Sequence, residues 1–95
     1  MATITLLEKV KTALKVTTND FNAEIEEMMS ACLLDLGIAG VTNVATTDAL
    51  IVRAVCTYCR ANWGSPMDYD KLKASYDEQK AQLSMSANYT NFGEE

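Results

Sequence analysis

The stretch DALIVRAVCTYCRANW, residues 48–63, decides the fold. Between its first and last residues the only charges are Arg53 and Arg60, so a helix wound from it is apolar on most faces. Such a helix belongs in the centre of a bundle or at a subunit interface. Thr46, Thr47 or Asp48 supplies a cap at its start, and Gly64-Ser65-Pro66 stops it. The remaining segments read as shells for this centre.

Working towards the N-terminus, residues 20–36 place Phe21, Ile25, Met28, Cys32 and Leu36 three or four apart, the spacing of one helical face. The polar run Thr17-Thr18-Asn19-Asp20 precedes this helix as a source of caps. Glu24, Glu26 and Glu27 occupy its first turns, where the positive end of the helix dipole favours them. Gly37 is expected to supply the left-handed stop, and the chain then continues as a loop from Gly40 to the next cap. Further upstream, Thr5-Leu6-Leu7-Glu8 is a capping box for a short helix to about Lys15, with Leu7, Val10, Ala13 and Leu14 as its apolar stripe.

Towards the C-terminus, Asp68 is the cap expected for a last helix in which Tyr69, Leu72, Tyr76, Gln79 and Leu83 form a narrow seam. Periodicity is lost beyond about Ser86. The chain therefore reads as all-α, a small bundle of about four helices in residues 1–86 followed by a short C-terminal tail, residues 87–95. Tyr89 and Phe92 in the tail are candidate contact residues, since aromatic side chains are over-represented as interface anchors.

Ninety-five residues with 48% hydrophobic and 22% charged side chains suit one folded domain of modest buried area. Apolar runs are broken by charges before the length of a membrane span, and no basic-then-apolar leader opens the chain. The net charge of −5 is uneven, for residues 16–48 hold six acids and no base, whereas residues 1–15 hold three lysines and one glutamate. An acidic chain repels phosphate, which disfavours tight non-specific DNA binding.

The sequence contains no histidine, which removes the commonest general base and every Ser-His or Cys-His nucleophile pair. Asp68, Asp70, Asp77 and Glu78 read as a solvated helix face and not as an acid and base pair. Cys56-Thr57-Tyr58-Cys59 matches C-x-x-C, but a zinc site needs four ligands and a redox pair sits at a helix N-terminus. Core packing is the expected role of both thiols. No glycine-rich phosphate cradle is present. Neither catalysis nor a cofactor nor a metal is expected.

The order of parts carries a resemblance: a capped first helix, the TTND turn, an acidic-start helix ending in Leu36-Gly37-Ile38, Asp48-Ala49-Leu50-Ile51 opening a very apolar helix, Trp63-Gly64-Ser65-Pro66, and the Tyr69, Leu72, Tyr76, Leu83 seam. This order resembles the tailed-bacteriophage head-tail connector family, the gp6-like connector or DNA-packaging proteins, over nearly the whole chain. The resemblance implies a non-enzymatic helical subunit that assembles as a homo-oligomeric ring beneath the portal protein and bridges it to another connector or tail protein. DNA would be only passing cargo, which an acidic channel would not grip, and no membrane is involved. The protein would be made in the bacterial host cytoplasm and carried in the virion at the head-tail junction. A ring is built from heterologous contacts, so each subunit is expected to carry two different adhesive patches. Two other readings compete: a small acidic regulatory or inhibitor module using residues 16–48 against a basic site on a host protein, and a redox or metal protein built on Cys56 and Cys59.

Overall fold

The computed structural model describes residues 5–42, 48–64, 66–86 and 89–90. Among the described residues there are four helices, α1 (Leu6–Leu14), α2 (Asn22–Ile38), α3 (Ala49–Asn62) and α4 (Tyr69–Ser84). Helix α3 packs against each of the other three, and α1 also packs on α2. The apolar segment read from the sequence is thus the centre of the bundle. Ile51, Ala54, Val55 and Cys59 of α3 are fully buried, joined by Val10 of α1, Ile25, Cys32 and Leu36 of α2, and Tyr76 and Leu83 of α4. The assembled slab measures 45 × 37 × 19 Å, so its thin dimension is about two helix diameters.

Local chemistry explains the boundaries. The Thr5 hydroxyl accepts from the Glu8 amide at 3.1 Å while the Glu8 carboxylate accepts from the Thr5 amide at 3.3 Å, completing the expected capping box. Asp48 is the residue chosen to cap α3, its Oδ1 accepting from the amides of Leu50 at 2.9 Å and Ile51 at 3.3 Å. Thr46 and Thr47, the other cap candidates, lie outside the described residues. Gly64, at φ 66, follows the last turn of α3 as the sequence requires.

Three expectations are corrected. Asp68 stands at the N-cap position of α4, but its side chain makes no capping hydrogen bond. Thr18 and Asn19 do not cap α2; the Thr18 hydroxyl accepts from the Asp20 amide and Asn19 accepts from the Lys11 ammonium, forming a turn, and the helix starts after Phe21 with no side-chain cap. Gly37 does not stop α2 but lies within it. The left-handed residue is Gly40, φ 97, where the Val41 amide donates to the Leu36 carbonyl and the Gly40 amide to the Gly37 carbonyl. That pattern is a Schellman motif with Gly40 at its left-handed position. It buries Val41 beside Leu36.

The stripes also shift in detail. In α1 Leu6 is buried with Val10, while Leu7 and Leu14 are only partly covered. In α4 Leu72, Tyr76 and Leu83 are buried, but Tyr69 is exposed and Gln79 half-buried. Phe21 is exposed along one side and packs edge-on to Trp63, ring centroids 5.4 Å apart.

Candidate assembly interface

Helix α2 carries large apolar residues on both faces. Ile25, Cys32 and Leu36 point inward, yet Leu34 is 71% and Ile38 86% exposed. Glu27, Ala31, Leu34 and Ile38 are spaced four, three and four apart, which places them on one outward stripe. On one side of this stripe runs a groove of about 410 Å³ between α2 and α4, walled by Leu34, Ile38 and Tyr69 and bounded below by Tyr58, Ala61 and Tyr76.

A polar bridge spans this groove and fixes the spacing of its walls. The Tyr76 hydroxyl donates to Asp35 Oδ2 at 2.7 Å, the Lys80 ammonium donates to the same oxygen at 3.0 Å, and the Cys32 thiol donates to the Tyr76 oxygen at 3.7 Å. Lys80 also lies 5.2 Å above the Tyr76 ring, a cation–π distance, and Tyr58 meets Tyr76 edge-on at 5.2 Å. The hydrogen bond from Tyr76, then the contact with Lys80, holds the Asp35 carboxyl below its usual range. Burial and the hydrogen bond to Asp35 push the Tyr76 phenol upward, so it stays a donor.

A second groove, about 310 Å³, opens on the other flank of α4 between Gln79, Gln82 and Ser86 and the start of α3, at Leu50 and Arg53. Leu50 is 52% exposed, and Met85 at the end of α4 is exposed as well. Residues Tyr69, Lys73, Asp77 and Lys80 face the first groove, whereas Gln79, Gln82 and Ser86 face the second. The buried line through Tyr76 and Leu83 separates them. The chain therefore presents two unlike apolar surfaces.

Tyr89 forms the end of the second groove. It is half-buried, and its hydroxyl donates to both Asp48 carboxylate oxygens, at 3.0 and 2.9 Å, while its carbonyl accepts from the Thr42 amide at 2.9 Å. This hydrogen bond lowers the Asp48 pKa and raises that of Tyr89. Thr90 beside it is buried. The ring is thus fastened to the cap of α3, and its partly exposed side lines the groove. Phe92, the other candidate contact residue, lies outside the described residues.

The C-x-x-C thiols pack in the bundle. Cys59 is fully buried and its thiol pushed up to about 12; Cys32 is likewise buried and pushed up to about 11. Cys56, half-buried and also raised by burial, donates towards the Lys9 carbonyl at 4.0 Å. Thiols held protonated in this way are poor nucleophiles and poor metal ligands. Among the described residues no group of three His, Cys, Asp or Glu side chains is placed to hold a metal ion, and no helix is long and apolar enough to cross a membrane.

Sequence reasoning did not single out Leu34, Ile38, Leu50 or Met85. Leu34 and Ile38 were legible in principle, because a pair four apart and off the Ile25, Cys32, Leu36 line must face outward in the same helix. Comparison with known proteins places the chain in a family. The model of the family described as phage connector protein covers residues 6–90; no curated protein and no solved structure matches the chain.

Proposed function

We propose, since the chain belongs to the phage connector protein family, that it is a head-tail connector subunit which assembles as a ring beneath the portal and joins the capsid to the next connector or tail component. The observation that carries this reading is the pair of unlike apolar surfaces on opposite flanks of α4. A closed ring is made from heterologous contacts, each joining one surface to a different one on the neighbour. One self-complementary patch would favour a two-fold dimer instead.

DNA passes through the ring as cargo in this reading, and the subunit is made in the bacterial host cytoplasm and carried at the head-tail junction of the virion. The net charge of −5 supports a wall that does not hold the duplex. Residues 1–86 are the assembling bundle and residues 87–95 the tail. Tyr89 contributes the exposed side of its ring to the second groove, and Phe92 extends the contact. An acidic inhibitor of a host protein would use the exposed Glu24, Glu26 and Glu27; the connector family favours the virion role.

Sedimentation of the chain with the purified portal protein of the same phage tests the proposal. Co-migration with the portal, and annular particles seen by negative-stain microscopy, is the expected result. A chain that stays at the top of the gradient whatever the portal concentration overturns it.

A further inference from the structure

The outward stripe of α2 and the outward line of α3 match in sign and in spacing. On α2, Glu24 and Glu27 are exposed near the N-terminal end and Leu34 and Ile38 near the C-terminal end. The two pairs are centred about ten residues apart, roughly 16 Å along a helix. On α3, Leu50, Arg53 and Arg60 are exposed and spaced three and seven apart, on one side of the helix. Leu50 and Arg60 are separated by ten residues, about 15 Å. Laid antiparallel, the apolar pair of α2 covers Leu50 when the glutamates stand beside Arg60.

The charges are also available. Among the described residues the ion pairs are Lys73 with Asp77 and Lys80 with Asp35, so Glu24, Glu27, Arg53 and Arg60 carry none. Residues 49–67 hold two arginines and no acid, the reverse of residues 16–48. Paired antiparallel with itself, either face would set its charges against the apolar end of the other copy and leave them without a counter-charge. Each fits the other.

We infer that successive copies of this chain meet head to tail, with the outer stripe of α2 of one copy lying antiparallel along the outward line of α3 of the next, Leu34 and Ile38 over Leu50 and Glu24 and Glu27 beside Arg60. This contact rests on the ring reading and specifies its subunit interface. Arg53 extends the positive line, its methylene stem lying on Leu34, as long cationic side chains do on apolar surface.

Reciprocal charge exchange tests it, with assembled mass measured on the portal or alone. The variants are E24K/E27K, whose two faces are both basic, and R53E/R60E, whose two faces are both acidic. Circular dichroism checks that each keeps its helices. Each variant alone is expected to lose assembly by at least about tenfold in the concentration required, from like-charge contact. An equimolar mixture is expected to regain it by alternating the two variants, as is the chain carrying all four substitutions. Misfolding cannot produce that recovery. If the wild-type chain assembles and either variant alone assembles as well, or if the mixture and the fourfold variant both fail, the contact is wrong while the ring reading stands. If the wild-type chain assembles neither alone nor on the portal, both fall together.

Discussion

Lys15 closes α1 with φ 62 and ψ 37, in the left-handed region, where the Cβ of an L-residue crowds the following carbonyl at a cost of roughly 1–2 kcal/mol. Glycine has no such clash but loses more backbone freedom on folding. Lys15→Gly should therefore raise unfolding stability by about 0.5–1 kcal/mol, read as a higher urea midpoint with an unchanged slope. Gly40→Ala should do the opposite, costing about 1 kcal/mol or more at φ 97. Asp35 gives a pH signature. Its carboxyl is held below its usual range in the folded chain by Tyr76 and Lys80, so below about pH 4 the unfolded chain binds the extra proton. Stability contributed by the bridge is present above that pH and is lost as pH falls further. Asp35→Asn should make the acid limb of the melting temperature against pH less steep, leaving the share of Asp48; an equally steep limb would show that Asp35 does not carry the loss.

At the scale of the element, Asp48 serves two structures at once, capping α3 and accepting the Tyr89 hydroxyl. Asp48→Ala should lower the urea midpoint through the lost N-cap, and Tyr89→Phe should lower it to a smaller degree through the lost hydroxyl. If urea unfolding shows Tyr89→Phe to be neutral, the tail is not held through that hydroxyl. Helix starts were legible where a side chain makes the cap, as at Thr5 and Asp48. The end of α2 was not. Gly37 at the left-handed position would pair Leu33 with Ile38 across a Schellman motif, and Gly40 pairs Leu36 with Val41; both satisfy the local apolar pattern. Burial decides between them, since Leu36 and Val41 are core residues whereas Ile38 is exposed. Likewise the hydrogen bond of Tyr89 to Asp48 was not legible, because 41 residues separate them.

For the whole molecule, the apolar α3 determines the arrangement, and its central place was legible from composition alone. Which outer faces stay uncovered was not, because an apolar residue on the far side of a helix is identified only after its inner side is known. The resulting slab has two unlike surfaces, one acidic and apolar on α2 and one basic and apolar on α3. Contacts of this kind weaken with salt as exposed charges are screened, within about 8–10 Å at moderate ionic strength. Assembly should accordingly require more protein in high salt, while the melting temperature of the bundle changes little. The most direct test of the connector account is the solution mass of the purified chain, by light scattering after size exclusion, over a wide concentration range and with and without the portal protein. The account predicts a closed oligomer of one discrete large mass, formed alone or on the portal. A monomer at every concentration, indifferent to the portal, would contradict it.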